Sequence, residues 1–585
     1  MSKSGALVLL ASAAMVAGPA AAQTTAPPVP APAGSVPSRE QVEQPAPDGR
    51  DRPRLRIDAQ RAIASAPCPL RSSDLKVSIN RLTFTGPGGA PLAPEIQALV
   101  GVIAPPAGGE REIAVVCDLR DTANIRLQRS GYIASVQIPP QAIETGELKL
   151  EVITAKIIEV RVRGDAPPYR RTLEGRAELL KSLDPLNQRD AERILLAAGD
   201  IPGLDVQLSL SPAGTKVGEV IGELTVIYRP YSVIANVNNA GSRELGREIG
   251  YARVETYGLL GNQDVTYFGA SASRDLKEQR VLQFGHGGAL GFGGTRFEGS
   301  VLHAWSRPNL EQIDIRSKSL IAALVLTKPL IRARRTRLDV GTGFEFIEQR
   351  TRVYNDGDSS ALNRDKLRIA FARVDGEMRN FRSGGGDAWS LLASLELRQG
   401  LSVLGATKAE SISPSGYTPS RFQGDPTAFV ARSGLDGLIN FGSRFGLHGR
   451  VRGQWAQNPV LNFEEFSLGT LTVGRGYDPG SNSGDRALAL RVEPRLMLWQ
   501  SNAMRLESFA FGDRVYLWNL DPNALENKRR IDSVGGGLRA LFQGFGYAEV
   551  MYARPLDKVL LVPDAKRAPA RLLISITAQF PRGGR

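Results

Sequence analysis

From Tyr231 onward the hydrophobic pattern of this chain has period two. Val233, Ala235 and Val237 open it. Leu447, Val451 and Trp455 interleave with His448, Arg450, Arg452 and Gln454. Leu488, Leu490, Val492, Leu496 and Leu498 share one face while Arg491, Glu493 and Arg495 share the other, and Leu572, Ile574, Ile576, Ala578 and Phe580 alternate with Leu573, Ser575, Thr577 and Gln579. Such alternation predicts strands lying between an apolar and a wet environment. Segments of about ten residues, divided by Gly, Asn, Asp and Ser, are the weak per-strand signature of an outer-membrane barrel. A soluble sandwich gives a similar alternation. At about 22 residues per strand and connection, however, the span of about 355 residues accommodates roughly sixteen antiparallel strands. The charged faces would then line a lumen.

Upstream the period changes. Residues 75–84 alternate, 91–102 and 112–129 carry helical spacing (Ile96, Leu99, Val100; Ile113, Val116, Leu119, Leu127), and 134–138 and 148–153 read as short strands. The order β-α-α-β-β then repeats. Residues 157–162 form a strand and 169–181 a helix. Pro185-Leu186-Asn187 opens a second helix with the stripe Ala191, Ile194 and Leu195, and strands follow at 206–211 and 218–229. The two units read either as a tandem repeat of one small domain or as two unrelated α+β domains. The predicted organisation places the first module at 68–155, the second at 156–230 and the barrel at 231–585.

The N-terminus joins one lysine to an apolar run, 7–16, and to Ala20-Ala21-Ala22 before Gln23, which predicts a signal peptide over 1–22. A Pro/Ala-rich linker follows over 23–67. Downstream no stretch of 18 or more uncharged apolar residues occurs, so a membrane form must be a closed barrel.

Of the 585 residues 42% are apolar and 23% charged, and 62 Gly and 37 Pro supply turns for an all-β majority. The formal charge of +13 is scattered along the chain, with no nucleic-acid-binding pattern. In an exported chain the two cysteines, Cys68 and Cys117, favour a disulfide, with two separate buried thiols as the alternative. They and the three scattered histidines, His286, His303 and His448, make no metal site. No ATP site is expected, since a phosphate-binding G-x-x-x-x-G-K-[ST] is absent, and no cofactor is expected. Nor is catalysis expected: no histidine neighbours a recognisable Ser or Asp pattern.

One stretch departs from the alternation. Val473-Gly474-Arg475-Gly476-Tyr477-Asp478-Pro479-Gly480 lies within the low-aliphatic segment 470–486, between strands. Its residue types are those of ordinary turns, yet it also carries a lone Arg and a Tyr between glycines.

Together these residues resemble a family. Pro185-Leu186-Asn187-Gln188-Arg189-Asp190-Ala191-Glu192-Arg193 with Ile201-Pro202-Gly203-Leu204 resembles the second periplasmic POTRA domain of two-partner secretion transporters, the TpsB proteins of the FhaC, ShlB and HecB kind. Val237-Asn238-Asn239-Ala240-Gly241-Ser242 with Gly246-Arg247 is similar to their first barrel strand and turn. Gly474-Arg475-Gly476-Tyr477 is similar to the tip of the extracellular loop that folds into their lumen, and Phe509-Ala510-Phe511-Gly512-Asp513 to the strand whose carboxylate meets that Arg. Tyr552-Ala553-Arg554-Pro555-Leu556 and the last strand, with Ile574, Ile576 and Phe580 as its terminal signal, match the family's end. Val473 is separated from Arg475 by a glycine where the usual tip has Val directly before Arg. Arg514-Val515 follows Asp513 where the family often has a Gly two residues on, and five residues follow Phe580. Only residues 38–43 can form a helix before the first module, too little for the full pore plug the family often carries.

The resemblance implies a transmembrane β-barrel behind two POTRA domains. Such a protein exports a large β-helical partner, an adhesin or haemolysin-like exoprotein, across the outer membrane without ATP. Its partners would be that exoprotein, held through the POTRA domains, and outer-membrane lipid, with no nucleic acid. Val473, Gly474, Arg475, Gly476 and Tyr477 would form the loop gate, with Arg475 forking onto Asp513 of the wall. The alternative function is an assembly factor of the BamA or TamA kind, though those carry more POTRA domains than two.

Overall fold

A computed structural model describes residues 37–43, 56–58, 62–63 and 67–580, except 144, 200, 292–293, 311–312, 356–357, 383–385, 523–525 and 561–565. The predicted signal peptide and most of the Pro/Ala-rich stretch lie outside the described residues.

The first module is a three-stranded sheet, Arg81–Thr85, Glu147–Thr154 and Ala134–Gln137 in spatial order, backed by helices α2 (Pro94–Val100) and α3 (Ala114–Arg129). The stripe Ile96, Val100, Val116 and Leu127 is wholly buried against Leu148, Leu150 and Val152, as its helical spacing requires. Cys68 and Cys117 are disulfide-bonded with their Cα atoms 5.9 Å apart. The bond ties the 3-10 turn Pro69–Ser72 to α3. The predicted strand 75–84 divides in two. Lys76–Val77 pairs with Arg111–Glu112, while Arg81–Thr85 joins the sheet.

The second module stacks α4 (Arg170–Lys181) and α5 (Gln188–Gly199) on strands Lys156–Arg163, Glu219–Tyr228 and Leu204–Pro212. A fourth strand, Arg56–Asp58, comes from the stretch expected to be linker and pairs in parallel with 207–209. Its backbone offers the extended N–H and C=O groups that an open sheet edge accepts, which composition does not reveal.

Sixteen antiparallel strands then close a barrel. They are β1 Tyr231–Asn238, β2 Ile249–Tyr257, β3 Val265–Ser273, β4 Gln279–Leu290, β5 Thr295–Ser306, β6 Asp314–Arg332, β7 Thr336–Asn355, β8 Asp358–Phe381, β9 Asp387–Gly400, β10 Phe429–Phe441, β11 Phe445–Ala456, β12 Arg486–Gln500, β13 Met504–Trp518, β14 Lys528–Phe542, β15 Gly546–Pro555 and β16 Arg571–Phe580. β16 closes on β1, with Ile576 opposite Val237 and Phe580 opposite Val233. Ile574, Ile576 and Phe580 lie on the outer face, 40%, 50% and 44% exposed, and the Phe580 ring meets Phe545 edge-on. Alternation works as the period demands: on β6, Ile315, Ser317, Ser319 and Ile321 point inward and are buried, while Arg316 and Lys318 between them are exposed. No helix among the described residues is long and apolar enough to cross a membrane. The strands cross it, because only a closed sheet satisfies its own backbone in lipid.

β1 rises from the second module, so the short turns lie at the end of the barrel that adjoins the modules. The long connections, 401–428, 457–485 and 556–570, lie at the other end.

Candidate functional site

The connection between β11 and β12 does not stay at the rim. Its neck is a two-residue ladder, Phe466–Ser467 against Ser483–Gly484, and its tip packs on the inner wall. Leu468, Val473 and Tyr477 are fully buried there against Ala489, Val515, Leu517 and Ile531. The Tyr477 hydroxyl lies 2.8 Å from the Asp532 carbonyl oxygen and accepts the Asp557 N–H at 3.0 Å. Asp478 holds Arg571 of β16 at 2.7 Å and Arg247 at 3.1 Å, linking the tip to the seam where the barrel closes. Two glycines permit this approach. Gly474 and Gly476 have φ of +104° and +96°, and a Cβ on Gly476 would stand 3.2 Å from Ala553 and Pro555.

Arg475 and Asp513 are neighbours, Nε to Oδ2 3.8 Å, but the expected fork between them is not formed. Arg491 lies directly across the ladder from Asp513 and takes both its oxygens, at 2.8 and 2.9 Å. Asp513 Oδ2 also accepts the backbone N–H groups of Gly474 and Arg475, at 3.0 and 2.9 Å. The carboxylate therefore holds the loop by its main chain. The Arg475 guanidinium turns instead to Glu493, 2.8 Å away, and lies 3.7 Å above the Phe511 ring. All four charged side chains are buried. Burial and the nearby Arg491 lower the Arg475 pKa to about 10, with Asp513 and Glu493 opposing them, so the group stays charged at neutral pH.

A second element occupies the lumen. Helix α1, Arg39–Val42, stands inside the barrel with Arg39, Gln41 and Val42 buried. Val42 packs among Val281, Leu302, Ile321 and Ile347. Arg39 bonds Glu345 of β7 at 2.7 Å and Glu464 of the inserted loop at 3.0 Å. Arg398 of β9 grips the same two carboxylates, at 2.6 and 2.9 Å. Gln41 Nε2 donates to the Pro479 carbonyl at 3.1 Å, beside the loop tip. From the wall, Gln279 and Gln349 donate to the carbonyls of Gln41 and Pro37, at 2.9 and 3.1 Å.

The sequence predicts no more than a short helix over 38–43. The missed signal is Ser38-x-x-Gln41 carrying Arg39 within an otherwise Pro/Ala-rich stretch, where the Gln41 side chain accepts the Ser38 N–H at 2.8 Å. On sequence alone Arg491 and Glu493 mark only the wet face of β12. Glu345, Arg398 and Glu464 carried no local mark.

The comparisons agree with this architecture. A profile of the haemolysin secretion/activation proteins ShlB/FhaC/HecB matches residues 225–524. The outer membrane transporter CdiB-2 of Burkholderia pseudomallei strain 1026b is 24% identical over 482 residues, covering 77% of this chain and 75% of its own length. The heme/hemopexin transporter protein HuxB of Haemophilus influenzae is 22% identical over 463 residues, covering 77% of this chain and 79% of its own length. Among solved structures, CdiB from Escherichia coli superposes with a TM-score of 0.63 at 16% identity, covering 89% of this chain and 94% of that one. The chain belongs to the ShlB/FhaC/HecB haemolysin secretion/activation family, the outer-membrane transporters of two-partner secretion.

Proposed function

We propose that this chain captures an unfolded β-helical exoprotein, adhesin or haemolysin-like, on its periplasmic modules and passes it through a lumen gated by the loop tip at 473–477 and the segment 37–43. The observation that carries the gate is the shared cluster Arg39, Glu345, Arg398 and Glu464. It ties both lumenal elements to the wall and to each other, so displacing one loosens the other.

For capture, the sheet edge Lys156–Arg163 supports the reading. It has no outer neighbour among the described residues, and Ile158 and Val162 stand exposed on it. An edge of this kind offers an extended chain main-chain hydrogen bonds without demanding one sequence. Transport, rather than catalysis or assembly of other barrels, is the reading the family supports. Directionality would come from folding of the exoprotein outside.

Arg475→Ala tests the gate. Its partner exoprotein is the secreted protein lost from the medium when this gene is deleted. Secretion should fall at least ten-fold while the barrel keeps its heat-modifiable mobility. Normal secretion would reduce the loop to a brace that fixes the barrel's shape.

A further inference from the structure

The outer wall of the barrel is not uniform around its circumference. Across β4 to β8 the register lines up the outward side chains Arg280, Trp305, Lys318, Arg350 and Arg364 as successive cross-strand partners. This row lies in the extracellular half of the wall, and Trp305 within it stacks on His303 at 4.1 Å, as aromatics do where hydrocarbon meets headgroups. Arg280, Lys318 and Arg350 have no carboxylate partner among the described residues. Glu348, lower on the same face, is taken by Arg364 and Arg368, at 2.9 and 3.2 Å. Asp314 is taken by Arg307 and Arg316. On the far wall Arg514 and Arg530 share the carboxylate of Asp532, at 2.9 and 3.7 Å.

Below this row the wall is indented. Phe284, Phe297, Phe344 and Phe346 surround Gly299 and Ala322, bounding a groove of about 500 Å³ on the lipid side. Gly299 is what leaves it open, since a Cβ there would meet nothing nearer than 4.0 Å. Lys318 and Ala322 are four residues apart on β6, so the cations stand roughly 13 Å above the groove. The separation suits a lipid whose phosphates lie at the interface and whose chains hang beneath. From Arg280 to Arg350 the row crosses three strand spacings, roughly 14 Å. That is wide for a single phosphate and suits a disaccharide phosphorylated at both ends. Net positive charge above an apolar notch, facing the outer leaflet, selects by charge as well as by shape.

We propose that this face binds one molecule of a phosphorylated, multi-acylated glycolipid, the lipid A moiety of lipopolysaccharide. Its phosphates would sit on Arg280, Lys318 and Arg350, with an acyl chain in the phenylalanine groove.

The test is native mass spectrometry of the full chain, delipidated and reloaded in detergent with diphosphoryl lipid A, fully dephosphorylated lipid A or cardiolipin at equal concentration. Wild type should retain diphosphoryl lipid A at least ten-fold over either competitor. The double variant Lys318→Glu/Arg350→Glu should lose at least ten-fold of that retention while keeping heat-modifiable mobility. Equal retention of the phosphorylated and dephosphorylated forms, equal or stronger retention of cardiolipin, or undiminished binding by the folded variant would each overturn the proposal. Should the double variant fail to fold, the headgroup comparison on wild type decides alone.

Discussion

Arg39 Nη1 lies 3.0 Å from Glu464 Oε1, joining a four-residue helix near the N-terminus to a loop more than four hundred residues further along the chain. Both groups are buried within the lumen. Removing one partner of such a pair costs on the order of 3 kcal/mol, because the other charge is left desolvated. Here Arg398 still satisfies Glu464, so Arg39→Ala should fall at or below that figure. In planar bilayers the variant should show a ten-fold or greater rise in open probability, and so in mean conductance, with barrel mobility unchanged. Wild-type conductance in the folded variant would mean that α1 does not obstruct flow.

Acid should loosen the same contact, within a defined window. Burial alone would raise the Glu464 pKa, but Arg398, Arg432 and Arg39 outweigh it and hold the carboxyl below its ordinary range. A depressed carboxylate contributes stability that is fully present above its unfolded pKa, about 4.3, and lost as pH falls through the lower folded value. Conductance should therefore be flat from pH 8 to pH 5 and rise only below about pH 4. A rise between pH 7 and pH 5 would assign the closure to other groups.

Asp513 should matter more than Arg475. Asp513→Ala strands Arg491 and two backbone amides in a buried site, whereas Arg475→Ala leaves Glu493 still paired with Arg495. The expected loss of loop anchorage is about 3–5 kcal/mol for the first and about 1–3 kcal/mol for the second. External protease cleavage within 470–486 on whole cells should be fastest for Asp513→Ala, intermediate for Arg475→Ala and slowest for wild type. The reverse order of the two variants would return the clasp to the arginine side chain.

Gly476→Val combines an unfavourable φ of +96° with a Cβ placed against Ala553 and Pro555. It should unseat the tip about as strongly as Asp513→Ala, at a cost on the order of 1–3 kcal/mol from the backbone alone. The same cleavage assay reads it, and wild-type resistance would show that the loop tolerates a side chain at that contact.

Loss of the Cys68–Cys117 bond acts elsewhere. Cys117→Ser should destabilise the first module by about 2–4 kcal/mol. The effect would appear as faster trypsin cleavage within 68–155 under non-reducing conditions, with barrel mobility unchanged. Equal cleavage rates would mean that the module's apolar core suffices without the bond.

The architecture was legible in the sequence where periodicity is strong. Inward and outward alternation on β12 and β16, and the helical stripes of α3 and α5, are local properties of the chain, so one strand or helix suffices to reveal them. The lumenal cluster was not legible, because Arg39, Glu345, Arg398 and Glu464 come from four distant segments, each with an unremarkable polar neighbourhood. The loop's glycines and Tyr477 were conspicuous as a break in alternation. Asp513 does neighbour Arg475, but the fork between them does not form, for a register reason: Arg491 faces Asp513 directly across the ladder and takes both its oxygens, leaving Arg475 Nε 3.8 Å away.

That occupation has a consequence for how the loop can vary. Asp513 grasps peptide N–H groups, which every residue except proline carries, so the seat recognises the curvature of the tip first, and the guanidinium on Glu493 adds a second, weaker hold. Sequence drift at position 475 would weaken the seat without abolishing it, whereas a branched side chain at either flanking glycine would unseat the tip with every charge still in place.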